Sequence, residues 1–89
     1  MTKRNRLEII KDILNIIHNN HNSIKPTPLL RKSNLSTKGF SEYLNELIEK
    51  EFVKEITIKC GKYITLTDKG LEYIRKYRDI VSFIEEFDL

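Results

Sequence analysis

The sequence predicts a mainly α-helical domain with one small β-hairpin, in which three helices precede the hairpin and a long helix follows it. Three observations carry this reading. Apolar residues recur at helical spacing near residues 7 to 17, 36 to 50 and 68 to 87. A run rich in β-branched residues, Ile56-Thr-Ile-Lys-Cys-Gly-Lys-Tyr-Ile-Thr-Leu66, folds back about a glycine. Thr67-Asp-Lys-Gly70 then starts a new helix without a linker. A chain of 89 residues has room for one domain with one modest core.

The first helix places Leu7, Ile10, Ile13, Leu14 and Ile17 on one face, and Ile9 and Ile16 widen that stripe beyond what one packing partner needs. It is expected to touch two surfaces and to end at the polar cluster Asn19-Asn20-His-Asn-Ser23. Ile24-Lys25 is assigned a short strand. Thr27 before Pro28 gives a helix start, because the hydroxyl caps free backbone N–H groups and proline at the first position has none to lose. This second helix runs from Pro28 to about Lys32. Ser33-Asn34-Leu35 is the turn, and Ser36 caps a third helix that buries Phe40, Leu44, Leu47 and Ile48.

Register decides the hairpin, since directly opposed residues share a face. A two-residue turn at Cys60-Gly61 would pair Ile56 with Thr65. An odd loop centred on Gly61 pairs Ile56 with Leu66 and Ile58 with Ile64 and gives one apolar face, so it is the expected arrangement. The final helix, capped by Thr67, carries Leu71, Ile74, Tyr77, Val81, Ile84 and Phe87 along about twenty residues, joined by Tyr73, Ile80 and Phe83. A domain of this size covers only its first two or three turns, and the remainder would expose aromatic surface in a monomer. The expected division is residues 1–67 as the binding domain and residues 68–89 as a dimerisation helix. Ile9, Ile16, Tyr77, Ile80, Val81, Ile84 and Phe87 are the expected interface.

Composition narrows the function. The chain is 39% hydrophobic and 33% charged, which suits a folded domain. No apolar run reaches the length of a membrane span, and the N-terminus lacks the apolar stretch of a signal peptide, so a cytoplasmic, nucleoid-associated protein is expected. The single cysteine, Cys60, forms no internal disulfide and anchors no metal cluster. His18 and His21 stand at helical spacing but lack a nearby third ligand. There is no Ser/His/Asp set, phosphate loop or paired carboxylate, so neither enzymatic activity, cofactor, metal nor small-molecule ligand is expected. The net charge of +3 conceals an asymmetry: residues 1 to 41 hold eight Lys or Arg against two acids, and residues 42 to 89 hold eight against eleven. Such a split suits one face meeting a polyanion and another meeting something else, such as a second copy.

Leu35-Ser36, Phe40, Tyr43-Leu44, Leu47-Ile48, Phe52-Val53 and Leu66-Thr67-x-Lys69-Gly70, with the opening Leu7-Glu-Ile-Ile-Lys-Asp-Ile-Leu14, resemble the archaeal winged-helix DNA-binding proteins of about ten kilodaltons that dimerise through a long C-terminal helix. The resemblance covers nearly the whole chain. It implies a winged helix-turn-helix, with three helices plus a wing and an extra dimerisation helix, that binds double-stranded DNA as a homodimer. Two departures stand out: the hairpin here is longer and the final helix shorter.

In such a module the third helix, residues 36 to 50, enters the major groove and the wing, residues 54 to 66, meets the backbone or the minor groove. Thr37, Lys38, Ser41 and Asn45 are the base-edge candidates, because lysine donates to guanine acceptors, asparagine pairs with adenine, and hydroxyls serve either. Arg4, Arg6, Lys25, Lys32, Lys59 and Lys62 are the backbone and wing candidates. Glu42 lies on the same helix face and opposes phosphate. Three readings stay open: a sequence-specific transcriptional regulator, a chromatin protein that binds any duplex, and a protein-binding winged helix that works through its aromatic last helix.

Overall fold

The structure, a computed structural model, describes residues 5–89. Its elements run α1 (Arg6–Asn19), β1 (Ser23–Ile24), α2 (Pro26–Ser33), α3 (Thr37–Glu49), β2 (Val53–Ile58), β3 (Gly61–Leu66) and α4 (Asp68–Glu86). This is the expected winged-helix architecture. α1 starts where the Asn5 side chain accepts from the Glu8 N–H, and it ends at Asn20, before His21 and Asn22 turn the chain with positive φ. Ile10, Ile13, Leu14 and Ile17 are its buried stripe.

Three expectations of local structure need correction. The short strand is Ser23–Ile24, one residue earlier than expected, because the residue next to Pro26 caps α2. α2 begins at Pro26 rather than Pro28, with Lys25 as a cap that makes no side-chain hydrogen bond. Thr27 therefore lies inside the first turn, where Pro26 and Pro28 are both tolerated because first-turn N–H groups have no intrahelical acceptor.

The third correction is the hairpin register. Val53 pairs with Leu66, Glu55 with Ile64, Ile56 with Tyr63 and Ile58 with Gly61, around a two-residue turn at Lys59-Cys60. Gly61 closes that turn at φ +123°, a conformation that side-chain-bearing residues rarely adopt. The expected odd loop would have turned Ile56 and Ile58 inward. The core reaches only the root of the hairpin, and there the short link from α3 delivers Val53 to the interior, 1% exposed. With Val53 inside, period-two alternation sends Ile56 and Ile58 to the opposite face.

β3 is the central strand of the three, in the order β1-β3-β2. Ile64 and Leu66 on β3 and Ile24 on β1 meet α1, Leu29 of α2, Phe40 and Leu47 of α3 and Ile74 of α4 in one core. Each fully buried aliphatic side chain of this kind contributes about 1.5–3 kcal/mol. α4 joins the core through its first two turns only, at Gly70 and Ile74, and every residue from Arg78 onward is exposed.

The junction of the hairpin with α4 is tightly bonded. The Thr67 hydroxyl donates to the carbonyls of Glu51 and Phe52 at 2.7 and 2.9 Å and accepts from the Gly70 N–H at 3.1 Å. Lys69 donates to the Lys50 carbonyl at 2.7 Å, at the C-terminus of α3. Its ammonium also lies 4.8 Å from the centre of the Phe52 ring.

Candidate nucleic-acid interface

α2, the turn and α3 form a helix-turn-helix held by local hydrogen bonds. Ser33 is buried, and its hydroxyl donates to the Leu30 carbonyl at 2.7 Å and accepts from the Leu35 N–H at 3.4 Å. Asn34 ends α2 in the left-handed conformation, φ 59°, which this residue type tolerates. Half-buried Leu35 packs against the core, and Ser36 then caps α3 by accepting from the Gly39 N–H at 3.1 Å.

Phe40 and Leu47 fix which side of α3 faces inward. The opposite side exposes Thr37, Lys38, Ser41 and Asn45, so the four base-edge candidates share one solvent-facing surface. No acid stands in the first turn of α3, and the last turn of α2 beside it carries exposed Arg31 and Lys32. Arg31 was not among the expected contacts. Its signal was its place next to Lys32, immediately before the turn. Farther along α3 the same surface becomes acidic, with Glu42 and Glu49 exposed. The N-terminal end is thus the end compatible with phosphate, and the partial positive charge of a helix N-terminus adds to it.

The backbone and wing candidates are dispersed. Arg4 lies outside the described residues. Arg6 is ion-paired with Glu46 of α3 and lies 6.0 Å from the centre of the Tyr43 ring. Lys50 approaches the same carboxylate at 3.0 Å. These two cations hold the Glu46 carboxyl below its ordinary range, chiefly through the Arg6 hydrogen bond, and the Arg6 guanidinium is raised in turn. Lys25 sits 5.7 Å from the Tyr63 ring centre, and Lys62 pairs with Glu55 at 3.6 Å. Lys59 is exposed in the turn of the wing, and Lys32 borders a shallow depression with Ile16, Asn19 and Asn20.

The expected dimer residues fall into two groups. Ile9 and Ile16 are half-buried and pack against this chain's own core. Ile80, Val81, Ile84 and Phe87 are exposed, as is Phe83, whose ring lies 4.9 Å from that of Phe87. Tyr77 is half-buried between them, stacked on Tyr73 at 6.4 Å with the Lys11 ammonium 5.4 Å from its ring centre. Tyr73 donates to the Leu7 carbonyl at 3.0 Å, and burial, followed by the neighbouring Tyr77, pushes its phenol up. Among the described residues no cluster of three His, Cys, Asp or Glu could hold a metal, and no helix is long and apolar enough to cross a membrane.

Comparison with known proteins gives these surfaces a context. Residues 3–85 match the winged helix-turn-helix family. An uncharacterized protein of Methanocaldococcus jannaschii is 32% identical over 82 residues, which are 92% of this chain and 36% of that protein. The chain therefore spans about a third of the length of that curated relative. Among solved structures, F93 from STIV, a winged-helix DNA-binding protein, superposes with a TM-score of 0.75 at 19% identity, covering 89% of this chain and 91% of that one. Sso10a-2, a DNA-binding protein from Sulfolobus solfataricus, also reaches 0.75, at 20% identity over 94% of this chain and 85% of its own.

Proposed function

The chain belongs to the winged helix-turn-helix family, and from that premise we propose that it binds double-stranded DNA as a homodimeric transcriptional regulator, reading the major groove with α3. One observation carries the reading. The first turn of α3, free of acids, presents Thr37 and Lys38 beside Arg31 and Lys32, with Ser41 and Asn45 exposed farther along the helix. In a helix-turn-helix the N-terminal residues of the recognition helix reach base edges, and cations flanking them set its register on phosphate. Glu49 then lies toward the less inserted end of the helix, and Glu42, between Ser41 and Asn45, suits a cytosine amino group rather than phosphate. The DNA-binding role of F93 and Sso10a-2, which share this fold, supports the same partner.

Fluorescence anisotropy with random and genomic upstream duplexes, across a salt series, tests this. A regulator binds one upstream fragment far more tightly than random duplex, with log affinity falling against log salt at a slope of about −7 if each subunit of a dimer neutralises about four phosphates. Lys38→Ala is expected to weaken the preferred fragment by about 1–3 kcal/mol and random duplex by less. Equal, steeply salt-dependent binding to every duplex would replace regulation with a chromatin role. No binding at low salt would overturn the DNA reading and direct attention to protein partners of α4.

A further inference from the structure

The hairpin register leaves one face of the wing unexplained by folding. Lys54, Ile56 and Ile58 of β2 lie on the same face as Gly61, Tyr63 and Thr65 of β3, because opposed residues share a side. This face carries no carboxylate. Ile58 is 52% exposed and stands opposite Gly61, which offers no side chain to cover it. Behind it, Ile56 pairs with Tyr63, whose ring holds Lys25 within 5.7 Å. Beside it in the turn is exposed Lys59. An uncovered isoleucine on the solvent face of an edge strand invites aggregation, and it adds nothing to the core.

We propose that Ile58 is an apolar wedge that the wing inserts into the minor groove of duplex DNA, opening a base step and bending the duplex. This rests on the DNA-binding reading above and assigns it a residue and a consequence. The chemistry points to duplex DNA rather than to an apolar protein surface. Ile58 is followed by Lys59 in the turn, and Lys54 and, over the Tyr63 ring, Lys25 lie farther back on the same face, whose paired residues include no acid. Glu51, Glu55 and Asp68 border it only at the Lys54–Ile56 end, away from Ile58. Proteins that kink DNA insert Phe, Leu, Ile, Met or Pro between base steps while cations hold the backbones on either side. The Ile56–Tyr63 pair supports the wedge from behind, so a push on Ile58 passes into the paired strands.

Ligase-catalysed circularisation of duplexes shorter than the persistence length reads bending directly, alongside anisotropy on the same duplexes. The full chain is expected to speed ring closure by about tenfold or more. Ile58→Ala should abolish most of that acceleration while duplex affinity changes by less than about fivefold, and Ile58→Leu should restore it, since leucine also serves as a wedge. Circular dichroism and the melting temperature of each variant separate this from unfolding. Binding without accelerated closure, or acceleration that survives Ile58→Ala, overturns the wedge and leaves the DNA-binding reading standing. Absence of any duplex binding overturns both.

Discussion

Gly70 is a packing residue in a helix that would otherwise favour alanine. A Cβ at this position would press on the Phe52 carbonyl oxygen and come within 2.7 Å of Leu66 Cδ1. The carbonyl is backbone and already accepts from Thr67, so it cannot move aside cheaply. Gly70→Ala is therefore expected to destabilise by about 2 kcal/mol net of the helix propensity that alanine adds. Urea unfolding followed by circular dichroism measures it, and a gain in stability would show that α4 need not approach the hairpin so closely. Thr67 makes the complementary prediction. Thr67→Ala removes the cap of α4 and leaves the Glu51 and Phe52 carbonyls without their hydroxyl donor, at a cost of about 1–2 kcal/mol, whereas Thr67→Ser should retain most of it. The Leu66-Thr67-x-Lys69-Gly70 run was legible as a mark of resemblance, and its physical content is this junction.

At the scale of elements, legibility followed how local each determinant is. Ser36 and Thr67 cap α3 and α4 as their sequences imply, because a cap needs only a side chain and an N–H three residues away. α2 was misplaced because two prolines compete for the helix start and no side-chain cap arbitrates. Hairpin register was misread because it depends on where the core ends, which the hairpin's own residues do not encode. The exposure of Thr37, Lys38, Ser41 and Asn45 was legible from the apolar stripe of α3 alone. The pairing of Arg6 with Glu46 was not, since it joins elements 40 residues apart. That pairing predicts a titration. Glu46 has a folded pKa below its ordinary 4.5, first through the hydrogen bond from Arg6 and then through Lys50. A depressed carboxylate contributes stability above its ordinary pKa and loses it as pH falls through the folded value. The α1–α3 tie should thus be intact above pH 4.5 and weaken as pH falls through the lowered Glu46 pKa. A side-chain carbon NMR titration should place the Glu46 midpoint under 4.5, and Arg6→Gln should move it back up; a midpoint at 4.5 or above would show that the pair does not form in solution.

The whole molecule is elongated, 49 Å along its longest axis. The core draws on α4 no farther than Ile74, yet the helix continues and carries Ile80, Phe83, Ile84 and Phe87 at 42–59% exposure. An exposed apolar stripe of this kind stays dry only if something covers it. A second α4 is the simplest cover, since two copies of the same stripe are self-complementary about a two-fold axis. Residues 79–89 contain none of the core, so a chain ending at Arg78 should keep its fold and its cooperative unfolding. Sedimentation equilibrium is then expected to give about twice 10.6 kDa for the full chain and a single subunit mass for the shortened one. The shortened chain should still reach DNA through α3, but with the phosphates of one subunit only, so its salt slope should fall to about half that of the full chain. The same number of subunits in the two species would show that the exposed end of α4 is not the seam. Dissociation to single subunits with an unchanged slope would show that the second subunit never touches the duplex.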